Sequence, residues 1–169
     1  MPSKHLFYLT SEALWAWHWH KGRLSAGPKF AAHSTGLEAF AEWLAQASAD
    51  PAYIVADMVE EDFQRLLLPH VNGSAGRAMV ARRLAQLYRD TPWRHAGIQG
   101  RDNAGRRADH VLMSALTNPA LVQPWADLLD EHRMPLAAVY SAALLSTRLV
   151  ARIAAAQDHL LLITRPPAG

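Results

Sequence analysis

The chain contains no cysteine, no apolar run of membrane-spanning length, and none of the short motifs that mark common catalytic sites. Without cysteine there are no disulfides, no thiolate nucleophile and no zinc site built on sulfur. A membrane span needs about 20 predominantly apolar residues, and no run here approaches that. The amino terminus also lacks the charged, apolar, small-residue order of a signal peptide. The expectation is therefore a soluble, cytoplasmic chain. No G-x-S-x-G elbow, Walker loop or H-E-x-x-H helix occurs, so Ser141, Ser146 and the scattered histidines form no nucleophile or zincin motif. No internal repeat is visible, and the only compositional bias is toward alanine.

What is present is a 169-residue chain, half of it hydrophobic, with a formal charge of +2. That suffices for one packed lobe with a small insertion, but not for two large domains. The small net charge hides an asymmetry. Between Arg77 and Arg107 there are eight arginines against Asp90 and Asp102, a local +6 that leaves about −4 elsewhere.

The clearest fold signal lies in residues 111–146. An apolar run at 111–116 has strand length. Thr117-Asn118-Pro119 then offers a helix start, and Leu121, Trp125, Leu128 and Leu129 recur at helical spacing. Pro124 is expected to split this helix into a short turn and a main body. His132 and Arg133 suit its carbonyl end, and Met134-Pro135 stops it before a second apolar strand at 136–140. Two strands joined by one helix predict a parallel pair with a right-handed crossover.

Upstream, residues 5–10, 13–19 and 23–30 read as a hairpin meander. Ser34-Thr35-Gly36 with Glu38 predicts a boxed helix start with an apolar face through Leu37, Phe40, Ala41, Leu44 and Ala47. A buried-type strand follows at 52–56, then the acidic corner Asp57, Glu60, Glu61 and Asp62, after which residues 66–69 leave the layer. Asn72-Gly73-Ser74 caps a helix carrying Val80, Leu84, Leu87 and Tyr88, with Arg82 and Arg83 outward. Residues 96–100 and 108–115 are expected to pair across a polar loop. A helix at 142–155 and an apolar strand at 159–164 complete the reading.

The order of elements, and the residues VLMSALTNPALVQPWADLLDEHRMPLAAVYSAALL in particular, resemble the first lobe of the actin-like cytoplasmic scaffold proteins of type IV pilus assembly and type II secretion. The resemblance implies an α/β, ribonuclease H-like lobe: a mixed sheet with a three-strand meander and parallel strands, helices packed on it, and an inserted α/β subdomain. It places the main subdomain at 1–70 and 141–158, the insertion at 71–140, and the truncated start of a second lobe at 159–169. It also implies a protein partner, an inner-membrane assembly component, and a location in the cytoplasm peripheral to that membrane. Nucleotide-binding relatives carry an Asp-x-Gly phosphate turn between the first two strands, because amides and a magnesium-associated carboxylate must face the phosphates. Here the corner is Tyr8-Leu9-Thr10-Ser11-Glu12, without glycine. The resemblance therefore implies a non-catalytic lobe with no cofactor of its own, while ATP binding by a longer chain stays open.

Other readings compete. Asp57 with Glu38 resembles two of the acids of a ribonuclease H-like nuclease, although the leading strand offers no third. His18 and His20 alternate on one strand, but no further ligand is placed by sequence, and no metal site is assigned. Trp15, Trp17 and Trp19 face the opposite side, read first as core and second as a recognition strip, of which Trp19 is the candidate for a partner peptide. Arg82, Arg83, Arg106 and Arg107 are the candidate partner-binding cations. Nucleic acid ranks behind a protein partner or lipid surface, because only Tyr88 and Trp93 are interleaved with them.

Overall fold

The computed structural model describes residues 3–102 and 107–153, with side chains through Val150. Two compact units emerge, one formed by residues up to Met58 and from Leu121 onward, the other by Val59–Ala120.

In the first unit, β1 (Lys4–Leu9), β2 (Ala13–His20) and β3 (Arg23–Ala31) form the antiparallel meander. The β2–β3 turn is two residues long, with His20 opposite Arg23 and positive φ at both Lys21 (48°) and Gly22 (80°). That is the mirror-image turn whose twist matches its flanking strands. Strand β4 (Ala52–Ala56) runs parallel to β1, and β8 (Leu136–Ser141) runs parallel to β4, giving the sheet order β3-β2-β1-β4-β8.

Helix α1 (Ser34–Leu44) lays Phe40 on one face of this sheet. The Phe40 ring meets Phe30, Trp125 and Phe7 at centroid separations of 5.1, 5.3 and 5.5 Å, so β1, β3, α1 and α3 (Gln123–Glu131) share one aromatic core. Leu9, Leu14, Ile54, Val122 and Leu129 complete it, all fully buried. Helix α4 (Ala142–Ile153) follows β8 directly.

The second unit is a three-stranded antiparallel sheet, β5 (Glu61–Pro69), β7 (Ala108–Leu116) and β6 (Arg94–Asp102) in that order, with α2 (Gly73–Leu87) packed on it. Its core is Tyr88, Val111, Met113 and Ala115, flanked by Leu66, Leu68, Val80, Leu84, Leu87 and Ala96.

Several expectations are corrected. The strands at 111–116 and 136–140 are not a parallel pair: β7 is the centre of the three-stranded sheet, whereas β8 pairs with β4. The crossover runs instead from β4 to β8, with the whole second unit inside the connection. Residues 66–69 leave the first sheet as expected, but as part of a strand: residues 61–69 pair with β7 along their entire length as an edge strand of the second sheet, which tolerates Pro69 because its outer side needs no donor. The unit boundaries accordingly fall at 59 and 120 rather than 71 and 140. Helix α1 is capped at His33 without a side-chain hydrogen bond, so the expected box does not form.

Between Thr117 and His132 the chain behaves as its two prolines require. Pro119–Leu121 is a single 3-10 turn, and Pro124 sits in the first turn of α3, where its missing N–H costs nothing. At the far end His132 Nδ1 donates to the Leu128 carbonyl at 2.9 Å, and Arg133 takes a positive φ of 57°. The strand expected at 159–164 lies outside the described residues.

Candidate functional site

Within the second unit, α2 does not close fully onto its sheet. A cavity of about 580 Å³ remains between them, floored by Leu68, Ala96 and Val111 and walled by Met79, Val80 and Leu84. It falls inside the range of roughly 300–1,000 Å³ typical of ligand sites. The first turn of α2 is packed tightly on the segment before it. Gly76 lies so close to the Val71 carbonyl oxygen that a Cβ there would sit 1.9 Å from it. Asn72 occupies the cap position with extended backbone, but its side-chain Oδ1 lies 2.9 Å from His70 Nε2 and makes no hydrogen bond to the helix amides.

The polar end of the cavity is organised by Asp109, a residue only 8% exposed. His70 Nδ1 lies 2.9 Å from Asp109 Oδ2, and Arg101 Nε lies 3.6 Å from Oδ1. The His70 hydrogen bond, assisted by the Arg101 charge, holds the Asp109 carboxyl below the ordinary carboxylate range. Opposite, Arg77 is exposed on the rim, and Ile98 of β6 stands 64% exposed at the mouth. Such an arrangement offers apolar contact, one exposed cation and a fixed polar end, with no nucleophile paired to a base.

Of the residues singled out from sequence, Arg82 and Arg83 are exposed neighbours on α2 and do not line the cavity. Arg107 is exposed where the chain enters β7, its carbonyl accepting from the His70 amide at 3.0 Å. Arg106 lies outside the described residues. The arginines that do line the cavity are Arg77 and Arg94, and Arg94 donates to the Tyr88 carbonyl. Trp19 is half-buried on β2, opposite Lys4 and Leu24. Trp15 is the buried member of its strip, with Lys29 Nζ 4.9 Å from its ring centroid.

The corner between β1 and β2 is closed on itself. The amides of Glu12 and Ala13 both donate to Thr10 Oγ1 at 3.2 Å, and the Thr10 amide donates to the Ala13 carbonyl at 2.9 Å. The nuclease pairing finds no support in the geometry: Asp57 receives the Tyr8 hydroxyl, and Glu38 is exposed on α1. Among the described residues, the histidine and carboxylate group able to share an ion is His5, His18 and Asp50. His20 instead bonds Ser3 Oγ at 2.6 Å. Sequence reading missed His5 and Asp50 as partners of His18, although the meander register, which sets His5 opposite His18, was the signal that could have found the first.

No protein-family model matches the chain, and no curated protein matches it. Among solved structures, a "PilM-PilN type IV pilus biogenesis complex" superposes with a TM-score of 0.53 at 10% identity, over 87% of this chain and 50% of that one. At that identity the likeness is one of fold. The cytoplasmic domain of EpsL, an inner-membrane component of the type II secretion system of Vibrio cholerae, aligns at a TM-score of 0.47 and 11% identity, over 82% of this chain and 57% of that one. A Bacteroides thetaiotaomicron protein with an actin-like ATPase fold and unknown function aligns at 0.47 and 8% identity, over 90% and 55%. The chain thus spans about half the length of the structures it matches. No helix among the described residues is long and apolar enough to cross a membrane.

Proposed function

We propose that this lobe is a non-catalytic scaffold of pilus- or secretion-type machinery, working in the cytoplasm at the inner membrane. In this reading the cavity under α2 holds a short apolar segment of a membrane partner's cytoplasmic tail. The observation that carries the proposal is the cavity itself: an apolar floor, an exposed Ile98 at its mouth and an exposed Arg77 on its rim. An apolar segment bearing a carboxylate satisfies all three, and unpaired apolar surface next to a cation is what partner recognition uses. The fold likeness to the pilus biogenesis complex adds support for this type of partner. The β1–β2 corner adds support for the absence of nucleotide chemistry in this lobe, because Thr10 already engages amides that a phosphate turn would present.

The test is co-purification of the full chain with tagged inner-membrane pilus or secretion components, followed by titration of the captured component's cytoplasmic segment. Ile98→Glu and Met79→Glu place charge in the cavity without touching the buried core and should weaken binding at least tenfold. Wild-type affinity in both variants, or failure to retain any such component, would refute the reading.

A further inference from the structure

The inference concerns the first unit and is independent of the scaffold reading. His5 on β1 and His18 on β2 are register partners, and their rings stack at 4.8 Å between centroids. Asp50 stands in the turn just before β4, the strand on the other side of β1. Three neighbouring segments thus deliver two imidazoles and one carboxylate to one place. One ligand atom from each of the three lies within 4.8 Å of the others.

His18 Nε2 and Asp50 Oδ2 lie 3.2 Å apart, at hydrogen-bond distance. Two ligands bound to one tetrahedral ion at roughly 2.0–2.1 Å stand about 3.3 Å apart, so this edge already has the required length. The carboxylate is also held in place: Ser48 Oγ donates to Asp50 Oδ2 at 2.6 Å. Such an outer hydrogen bond is what orients a ligating carboxylate.

His5 supplies the second observation. The residue is 3% exposed; Nε2 lies 3.0 Å from the Ser48 carbonyl and 3.3 Å from Ser48 Oγ, while Nδ1 is buried with no partner. A buried imidazole nitrogen with nothing to bond is uncommon, because the lost hydration is not replaced. The neighbouring rings supply no bond to it: Phe7 and His18 stack on the imidazole, and Trp43 meets it at a near-right angle.

We propose that His5, His18 and Asp50 bind a divalent first-row cation of the zinc class, with the remaining position taken by water. Two imidazoles and one carboxylate suit a borderline ion better than calcium or magnesium, which prefer all-oxygen sets. The ion would tie β1, β2 and the turn before β4 together at one end of the sheet.

The experiment uses untagged full chain, treated with EDTA and dialysed free of metal. Zn²⁺ is titrated calorimetrically, and Co²⁺ is followed by its visible ligand-field absorption. One equivalent is expected to bind, with a rise in thermal midpoint and cobalt bands of a low-coordinate nitrogen–oxygen site. His18→Ala and Asp50→Asn, both at partly exposed positions, should abolish the bands and weaken Zn²⁺ by more than 100-fold. Ser48→Ala should weaken it about 10- to 100-fold, as loss of an outer-shell contact does. No saturable binding to the wild-type chain would overturn the proposal. So would equal binding by the His18→Ala, Asp50→Asn double variant, which would trace the metal to other surface histidines.

Discussion

The Tyr8 hydroxyl donates a hydrogen bond to the Asp57 carboxylate, joining the end of β1 to the residue that follows β4. Burial, reinforced by that carboxylate, pushes the Tyr8 phenol well above its ordinary value of 10.0. Tyr88 is shifted the same way by burial and by Asp62, to which it donates at 2.7 Å. A spectrophotometric titration should therefore show two late-ionising phenols, Tyr8 and Tyr88. Because these folded-state values are raised, the stabilisation they carry is complete below about pH 10 and is lost as pH rises beyond it. Tyr8→Phe should remove one late-titrating group, cost about 1–2 kcal/mol at neutral pH, and lessen the alkaline loss of stability.

Two glycines are required by contact with backbone rather than by turn geometry. A Cβ at Gly36 would fall 1.8 Å from the Ala31 carbonyl oxygen, and one at Gly76 would fall 1.9 Å from that of Val71. Both helices thus start pressed against the segment that delivers them. Neither carbonyl can step aside without moving a strand end or the helix itself. Gly36→Ala and Gly76→Ala should each destabilise by about 3 kcal/mol or more, at the severe end of overpacking, despite alanine's better helix propensity. Urea unfolding of the two variants checks this, and a change below about 0.5 kcal/mol in either would contradict the stated contact.

How far the sequence disclosed this fold depends on whether a signal was local. The meander, α1, β4 and α4 were legible because alternation, helical spacing and turn residues all agree over short windows. The β6–β7 hairpin was legible for the same reason. Pairing between distant segments was not. Leu136 to Tyr140 reads identically whether it joins β7 or β4, and only the packing of Trp125 against Phe40 and the register with β4 decide it. Strand β5 was half hidden because its first residues, Glu61 and Asp62, look like a solvated corner, although Asp62 accepts the buried Tyr88 hydroxyl. The cavity could not be foreseen, since it depends on how far α2 stands from its sheet. Of the arginines chosen by charge density, Arg82 and Arg83 are exposed on that helix, as its periodicity had placed them, and they do not line the cavity.

Phe40 is the residue on which the first unit's packing converges. It is fully buried, and Phe7, Phe30, Trp43 and Trp125 all lie within ring-contact range. Phe40→Ala opens a cavity that four rigid rings cannot collapse to fill, so the loss should be about 3–5 kcal/mol. Phe40→Leu keeps most of the volume and should cost distinctly less. Chemical denaturation monitored by tryptophan fluorescence separates the two, because Trp43 and Trp125 both border the site.

Asp109 gives the second unit a dependence on acid. Its carboxyl is held below the usual range first by the hydrogen bond from His70 and then by Arg101, so the folded state keeps it ionised at pH values where the unfolded chain has begun to protonate it. A depressed folded value means the stabilisation is whole above about pH 4 and disappears as pH falls through that folded value. Urea midpoints followed from neutral pH downward should fall more steeply for the wild-type chain than for Asp109→Asn. His70→Ala, which removes the principal partner, should move the acid transition to higher pH. Parallel acid profiles for wild type and Asp109→Asn would show that the His70 contact does not act on folding.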